Sequence, residues 1–345
     1  MAARLRVVLV SRVRLNPYVR LLAGGLAEAG GAELEVRTSD TWSLPWLWRE
    51  RRRVDLCHLH WLELFYGYPE RLKRCRRWAS SVGALLLCRA LGIRLVATVH
   101  NLEAHESRWR RLDRWTARLL YRLADGLHVH DGETRARLLS RGGGGRRVAV
   151  IPHGTYAGAY PDACTRGQAR SWLGLDEGAF VYLSLGMIRP YKGLEELVGA
   201  FAGLEDPCAR LVVAGQSHDP AYTARLQALA GGDGRVLLRP EHVADEALQY
   251  YFRAADVAVL PYRAVTTSGA AFLAFSFGVP VIAPRLGPFP ELVGDRRGLL
   301  YEPDEPGGLL GALRAAPALD REAARAACRA FNQAHAWPGL ARQHL

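Results

Sequence analysis

Gly186-Met187-Ile188-Arg189-Pro190-Tyr191-Lys192-Gly193 decides how this chain is read. It follows an apolar run, Ala179-Phe180-Val181-Tyr182-Leu183-Ser184-Leu185, that reads as a strand. It precedes Leu194-Glu195-Glu196-Leu197-Val198-Gly199-Ala200-Phe201, whose apolar residues recur at helical spacing. A strand that ends in a glycine turn and opens into a helix leaves free backbone N–H groups at the helix start. With the helix dipole, those groups form an anion site. Arg189 can grip phosphate oxygens as a fork, and Lys192 adds a point charge. The chemistry that suits this turn is a diphosphate, held as a leaving group.

Outward from the turn, strand and helix patterns alternate in both directions, the mark of parallel sheets with helices on both faces. Strands are expected at 5–10, 33–38, 55–60, 94–99, 126–130 and 148–152, then at 179–185, 210–214, 235–238, 256–260, 280–283 and 298–301. Helices between them include 18–29, 71–91, 108–124 and 132–141, then 193–203, 220–230, 244–254 and 268–277. Gly142–Gly145 is a loop. The fold class expected is α/β, with two doubly wound Rossmann-like domains in series, joined near Pro152-His153-Gly154-Thr155-Tyr156. The expected division is 1–155, 156–325 and a C-terminal helical segment, 326–345, able to return to the first domain. Ligands of open parallel sheets bind beyond the carboxyl ends of the strands, so two such domains facing each other leave the deepest cleft between them.

A chain of 345 residues exceeds the comfortable size of one core. Its basic charge is uneven. Residues 1–150 hold 28 of the 46 Lys and Arg and 14 of the 34 Asp and Glu, a net of +14 against −2 for the remainder. Such asymmetry points to nucleic acid, an anionic membrane or an anionic substrate. The six cysteines are scattered without a C-x-x-C pair, which argues against a zinc site or disulfide framework and suits a reducing cytoplasm. The first ten residues run straight into an apolar strand, so no signal peptide is read. The longest apolar stretches fall short of a membrane span.

Several residue groups follow strands. His58-Leu59-His60-Trp61-Leu62-Glu63 comes after one, and Thr98-Val99-His100-Asn101-Leu102-Glu103-Ala104-His105-Glu106 after the next. Each offers His and Glu where a general base or a sugar-hydroxyl partner would stand. A single such histidine is more often a satisfied loop residue, but two clusters at equivalent positions favour function. They do not read as a metal site, because strand-end scatter lacks helical i, i+4 ligand geometry. A third group is Pro261-Tyr262-Arg263-Ala264-Val265-Thr266-Thr267-Ser268-Gly269, where Thr267, Ser268 and Gly269 occupy a helix N-cap. Ordinary capping explains them alone; beside Arg189 and Lys192 they make a second anion-holding helix start. Glu291 follows a further strand end, and helix-turn structure accounts for it equally well.

The basic segments of the first half are Trp46–Arg53, Arg71–Trp78 and Arg108–Trp115. Arginine interleaved with Trp and Leu fits an interfacial membrane segment, and equally a solvated arginine-rich face. Nucleic acid fits less well, since no motif for it accompanies the charge.

Gly186-x-Ile188-Arg189-Pro190-Tyr191-Lys192-Gly193, Ala255–Arg263, Ser268-Gly269 and Phe277-Gly278-Val279-Pro280-Val281 resemble the donor half of GT-B glycosyltransferases. Asn16-Pro17-Tyr18, His58–Glu63, Thr98–Asn101 with His105-Glu106, and His153-Gly154-x-Tyr156 are similar to the GumI type, GDP-mannose:glycolipid 4-β-mannosyltransferases of xanthan-like polysaccharide assembly. The resemblance runs from about residue 5 to 285. It implies a nucleotide held by the C-terminal domain and an acceptor held by the N-terminal one. Gly186, Arg189 and Lys192 would hold the diphosphate, aided by backbone N–H groups at Ser268 and Gly269, with no metal and no cofactor beyond the sugar nucleotide. His100 matches the position that faces the donor sugar. Glu63, His105 and Glu106 are candidates for the acceptor base, and Arg239-Pro240-Glu241-His242 would lie near the nucleobase. The basic N-terminal domain would dock on the anionic cytoplasmic leaflet, where a lipid-diphosphate-linked glycan is found, making the protein cytoplasmic and peripheral at the inner membrane.

One departure stands out. Many retaining GT-B enzymes carry two glutamates eight residues apart before Gly-x-Pro-Val, and Val265 and Leu273 occupy those positions here. The usual ribose carboxylate is thus missing, which tilts the reading towards inversion. The competing readings are a retaining transferase using a UDP-sugar and a soluble acceptor, and a non-catalytic sugar-nucleotide-binding protein.

Overall fold

The computed structural model describes residues 4–14, 16–100, 109–142 and 148–344. The chain forms two units, residues 1–154 with 335–345, and residues 155–334. In unit 1 the strands are β1 (Leu5–Val10), β2 (Leu34–Ser39), β3 (Leu56–His60), β4 (Arg94–Thr98), β5 (Gly126–Val129) and β6 (Val148–Val150). They pair in parallel in the order β2-β1-β3-β4-β5-β6. Among the described residues, the α-helices that connect them are α1 (Tyr18–Gly30), α2 (Leu44–Glu50), α3 (Arg71–Ala90), α4 (Arg110–Leu123) and α5 (Gly132–Ser140). The core gathers Val8, Val10, Leu59, Leu95, Ala97, Leu127 and Val129 from the central strands. Such two-sided burial is why these strands read as continuous apolar runs.

Unit 2 opens with α6 (Arg166–Leu173). Its strands β7 (Phe180–Leu185), β8 (Ala209–Ala214), β9 (Val236–Arg239), β10 (Val257–Val259), β11 (Val281–Pro284) and β12 (Gly298–Tyr301) form a second parallel sheet, ordered β12-β11-β10-β7-β8-β9. Its remaining helices are α7 (Leu194–Ala202), α8 (Pro220–Ala230), α9 (Leu248–Ala254), α10 (Gly269–Ser276), α11 (Phe289–Val293), α12 (Gly308–Ala315) and α13 (Arg321–Ala334). The chain then adds α14 (Trp337–Ala341) to unit 1, where Trp337 lies 5.1 Å from Tyr18 between ring centroids. Side chains set several helix starts. Ser43 accepts from the Trp46 N–H ahead of α2, and Thr165 with Gln168 forms a capping box on α6.

Strand and helix ends agree with the sequence expectation to within four residues, and the elements expected at 5–10, 220–230 and 298–301 match it at both ends. The strand expected over 148–152 stops at Val150, and the helix expected from 244 begins as α at Leu248 after a 3-10 turn, Asp245–Ala247. The loop expected over Gly142–Gly145 lies, beyond Gly142, outside the described residues. Unit 2 is anchored at the amino end of β10 by Asp256, which is 2% exposed. Its Oδ2 accepts from Arg170 Nη2 and from the Val181 N–H, both at 2.9 Å, and its Oδ1 accepts from Arg166 and Arg321.

The basic segments split between core and surface. Trp46 and Trp78 pack against the unit 1 core, Trp78 donates its indole N–H to Thr116 Oγ1 at 2.9 Å, and Arg74 is buried beneath Trp109. The exposed residues of α3 and α4 include Arg71, Leu72, Lys73, Arg76 and Arg77 with Arg111, Arg114, Trp115 and Arg118. Among the described residues, no helix is long and apolar enough to cross a membrane.

Candidate functional site

In unit 2 the chain leaves β7 towards β8 and β9, then returns to lay β10 on the other side of β7. The strand order therefore reverses between β7 and β10, and an open α/β sheet binds ligands in the crevice at such a point. The two loops that flank it are Gly186–Gly193 and Pro261–Ser268. The first is held firmly: the Gly186 N–H donates to Ala214 O and the Ile188 N–H to Gln216 O, each at 2.9 Å, and Ile188 is buried. Glycine is required at both of its ends. Gly193 has φ +68° and stands so close to Pro261 that a Cβ would lie 2.0 Å from its carbonyl oxygen.

Lys192 folds back over this turn. Its Nζ lies 5.3 Å from the centroid of the Tyr262 ring, so the loops after β7 and β10 share one cation. Burial pulls the Lys192 ammonium below the ordinary lysine range; Tyr191 raises it and the Arg189 charge lowers it further. No side chain caps the start of α7, and its first-turn acids are turned to arginines, Glu195 to Arg225 at 3.1 Å and Glu196 to Arg263 at 3.7 Å. The start of α7 thus carries no side-chain cap, the kind of helix end that an anion can complement. Ser268 is buried and caps α10 by accepting from the Ala271 N–H at 3.3 Å; Thr267 beside it is partly exposed, and Gly269 is the first helical residue.

Arg239 closes β9 and His242 follows three residues later, both exposed and two strands from β7. Glu291 is exposed on the short α11 after β11. That loop packs on the β10 loop, since a Cβ at Gly287 would lie 2.9 Å from Val265 O. Gly186, Arg189, Lys192, Thr267, Ser268 and Gly269 therefore gather at the β7–β10 crevice, with Arg239 and His242 farther along the same sheet edge.

In unit 1 the order reverses between β1 and β3. Asn16 Oδ1 accepts from the Tyr18 N–H at 2.9 Å, so Asn16-Pro17-Tyr18 is a helix start that inserts Tyr18 among histidines. Ring centroids lie 5.7 Å away at His60, 5.0 Å at His100, 5.5 Å at His130 and 4.8 Å at His153. His60 Nδ1 and His100 Nε2 share a hydrogen bond of 3.1 Å. Burial, the first cause at each, holds all four imidazoles well below the usual histidine range. Trp61 stacks on His100 at 3.7 Å and 9° with φ +49°, the one positive φ on a non-glycine among the described residues. A bulky side chain in that region is strained, and such strain gathers at functional sites.

Beside this stack is a cavity of about 180 Å3 whose lining includes Trp61, Glu63, Tyr66, His100, Asp113 and Arg114. Burial raises the Glu63 carboxyl above the ordinary range, and the Asp113 charge adds to the rise. A carboxylate with a raised pKa in a partly closed cavity suits a general base. His105 and Glu106 lie outside the described residues. Sequence reasoning missed Asp113, although an isolated acid within Arg110-Arg111-Leu112-Asp113-Arg114 was a visible signal. It also missed His128 and His130, which carry no motif.

Residues 19–156 match Glycosyltransferase Family 4, and residues 179–316 match Glycosyl transferases group 1. A GDP-mannose:glycolipid 4-beta-D-mannosyltransferase of Xanthomonas campestris pv. campestris is 29% identical over 276 residues, covering 77% of this chain and 73% of that one. A D-inositol 3-phosphate glycosyltransferase of Pseudarthrobacter chlorophenolicus is 30% identical over 338 residues, covering 84% and 78%. Among solved structures, Anabaena HepE in complex with UDP and glucose superposes with a TM-score of 0.75 at 17% identity, over 99% of this chain and 98% of that one. The two six-stranded parallel sheets with helices between their strands are the GT-B fold. The chain belongs to the GT-B glycosyltransferases, and it is a transferase.

Proposed function

We propose that this protein transfers mannose from GDP-mannose, with inversion, to a hydroxyl of a lipid-diphosphate-linked glycan in polysaccharide biosynthesis at the cytoplasmic face of the membrane. The observation that carries the reading is the Lys192 ammonium held over Tyr262 at the β7–β10 crevice. As the glycosidic bond to the nucleotide breaks, negative charge grows on the diphosphate. Arg189, Lys192 and the uncapped start of α7 stabilise that charge as it develops, without a metal or cofactor. Glu63 takes the proton of the acceptor hydroxyl, with His105 and Glu106 as the other candidates, and His100 faces the donor sugar. Arg239 and His242 serve the nucleobase.

Support for the donor and acceptor comes from the named activity of the Xanthomonas relative. The exposed basic face of α3 and α4 supports the membrane: Leu72 is 82% exposed and Trp115 48% exposed among seven arginines and lysines. HepE, solved with UDP and glucose, favours the UDP-sugar donor of the second reading, whose acceptor is soluble. A thermal-shift series with GDP, UDP, dTDP and their sugar conjugates separates the two, because a ligand of the native state raises the melting point. A shift with GDP and GDP-mannose supports the proposal; a shift with UDP alone overturns the donor. Nucleotide binding without turnover of any sugar nucleotide would leave a binding protein instead.

A further inference from the structure

Three histidines remote in sequence meet in unit 1, and the sugar-transfer reading uses none of them. His58 on β3 and His128 on β5 flank β4 and are 3% and 9% exposed. His344 ends the 3-10 turn Arg342–His344 that follows α14. One ring nitrogen from each lies within 4.8 Å of the other two. Ring centroids are 4.4 Å apart for His128 and His344 and 5.1 Å for His58 and His128. The Nδ1 atoms of His128 and His344 are both buried without a hydrogen-bond partner. A buried polar atom left unpaired is costly, and two of them in one histidine cluster call for a shared partner.

We propose that His58, His128 and His344 bind one divalent transition-metal ion, Zn2+ by the chemistry of the donors, and that this ion pins the C-terminal segment to the sheet. Three neutral imidazoles with a fourth position for water match tetrahedral zinc. Zinc–nitrogen bonds of about 2.1 Å place tetrahedral ligands roughly 3.4 Å apart, so the rings close by a small rotation. Thr98 Oγ1 lies 2.8 Å from His58 Nε2 and fixes that ring, as outer partners of metal-bound histidines do. The i, i+4 spacing of helical metal motifs is absent because the ligands come from two strands and a returning segment.

The test uses the full chain without a histidine tag, stripped with chelator and titrated with Zn2+ and with Co2+. Expected are a single zinc ion per chain by elemental analysis, a melting point that climbs with zinc concentration, and the visible band of tetrahedral Co2+. His344→Gln should weaken zinc roughly tenfold or more, and Thr98→Val roughly 10–100-fold. His218→Gln, in unit 2, should bind zinc as the wild type does. Wild-type protein without saturable zinc binding, or with octahedral Co2+ only, overturns the site; so does wild-type affinity in folded His344→Gln. Should that variant fail to fold, the wild-type Co2+ spectrum decides. None of these readings depends on the sugar donor.

Discussion

The Nζ of Lys192 lies 2.8 Å from the point where a Cβ on Gly186 would stand. Gly186 also has φ +134°, a conformation that side chains rarely adopt. The two residues are therefore one device: the glycine makes room for the ammonium that the turn folds over the crevice. Gly186→Ala should displace Lys192 and lower GDP affinity towards that of Lys192→Ala, roughly tenfold or more at about 1.4 kcal/mol per tenfold. Calorimetric titration of folded variants checks this, and wild-type affinity in Gly186→Ala would separate the two residues.

Removing either cation should act on the transition state more than on the ground state. Arg189→Ala and Lys192→Met are each expected to lower kcat about 10²–10³-fold, the range for losing one preorganised charge stabiliser. Steady-state kinetics with GDP-mannose reads this out.

Donor affinity should depend on pH through Lys192. The anion prefers the ammonium, and burial has already moved its pKa down. Affinity is then full below that lowered pKa and falls as pH rises through it. Lys192→Arg, which stays charged, should flatten the alkaline fall.

Glu63→Gln should lose roughly 10²–10⁴ in kcat with donor affinity retained, if the carboxylate removes the acceptor proton. Burial raises the Glu63 pKa, so the rate must fall with acidity at a higher pH than an ordinary glutamate gives. A pH–rate profile of the wild type tests the limb, and an unchanged Glu63→Gln would pass the role to the 105–106 pair.

Asp256→Ala leaves Arg170, which is 1% exposed, without its carboxylate and frees the Val181 N–H. Breaking a buried pair from one side costs about 3–5 kcal/mol. A unit of this size loses roughly 2–4 °C of melting temperature per kcal/mol, so calorimetry should show a drop of several degrees or more.

Much of the scaffold was legible because its signals are local. Apolar runs marked the strands of both sheets, and glycines at 186 and 193 marked a turn that only glycine can form. Helices such as α2 and α6 were less visible, since their caps at Ser43 and Thr165 look like ordinary loop residues until the side chain is seen to accept a backbone N–H. Among the tryptophans of the basic segments, Trp46 and Trp78 went to the core and Trp115 to the surface. Helical phase alone could not assign them, because each helix had to find its sheet first.

The sequence by itself determined the period of each element, the basic glycine turn and the surplus of charge in the first half. These follow from neighbours a few residues apart, where propensity and spacing act directly. Tertiary structure alone decided that β10 lies beside β7, which brings Tyr262 under Lys192. It also brought His58, His128 and His344 together and set Asp113 beside Glu63 in one cavity. Such meetings depend on strand order and on a C-terminal segment returning to the first sheet. Both are settled by long-range burial of apolar faces, which no local pattern encodes.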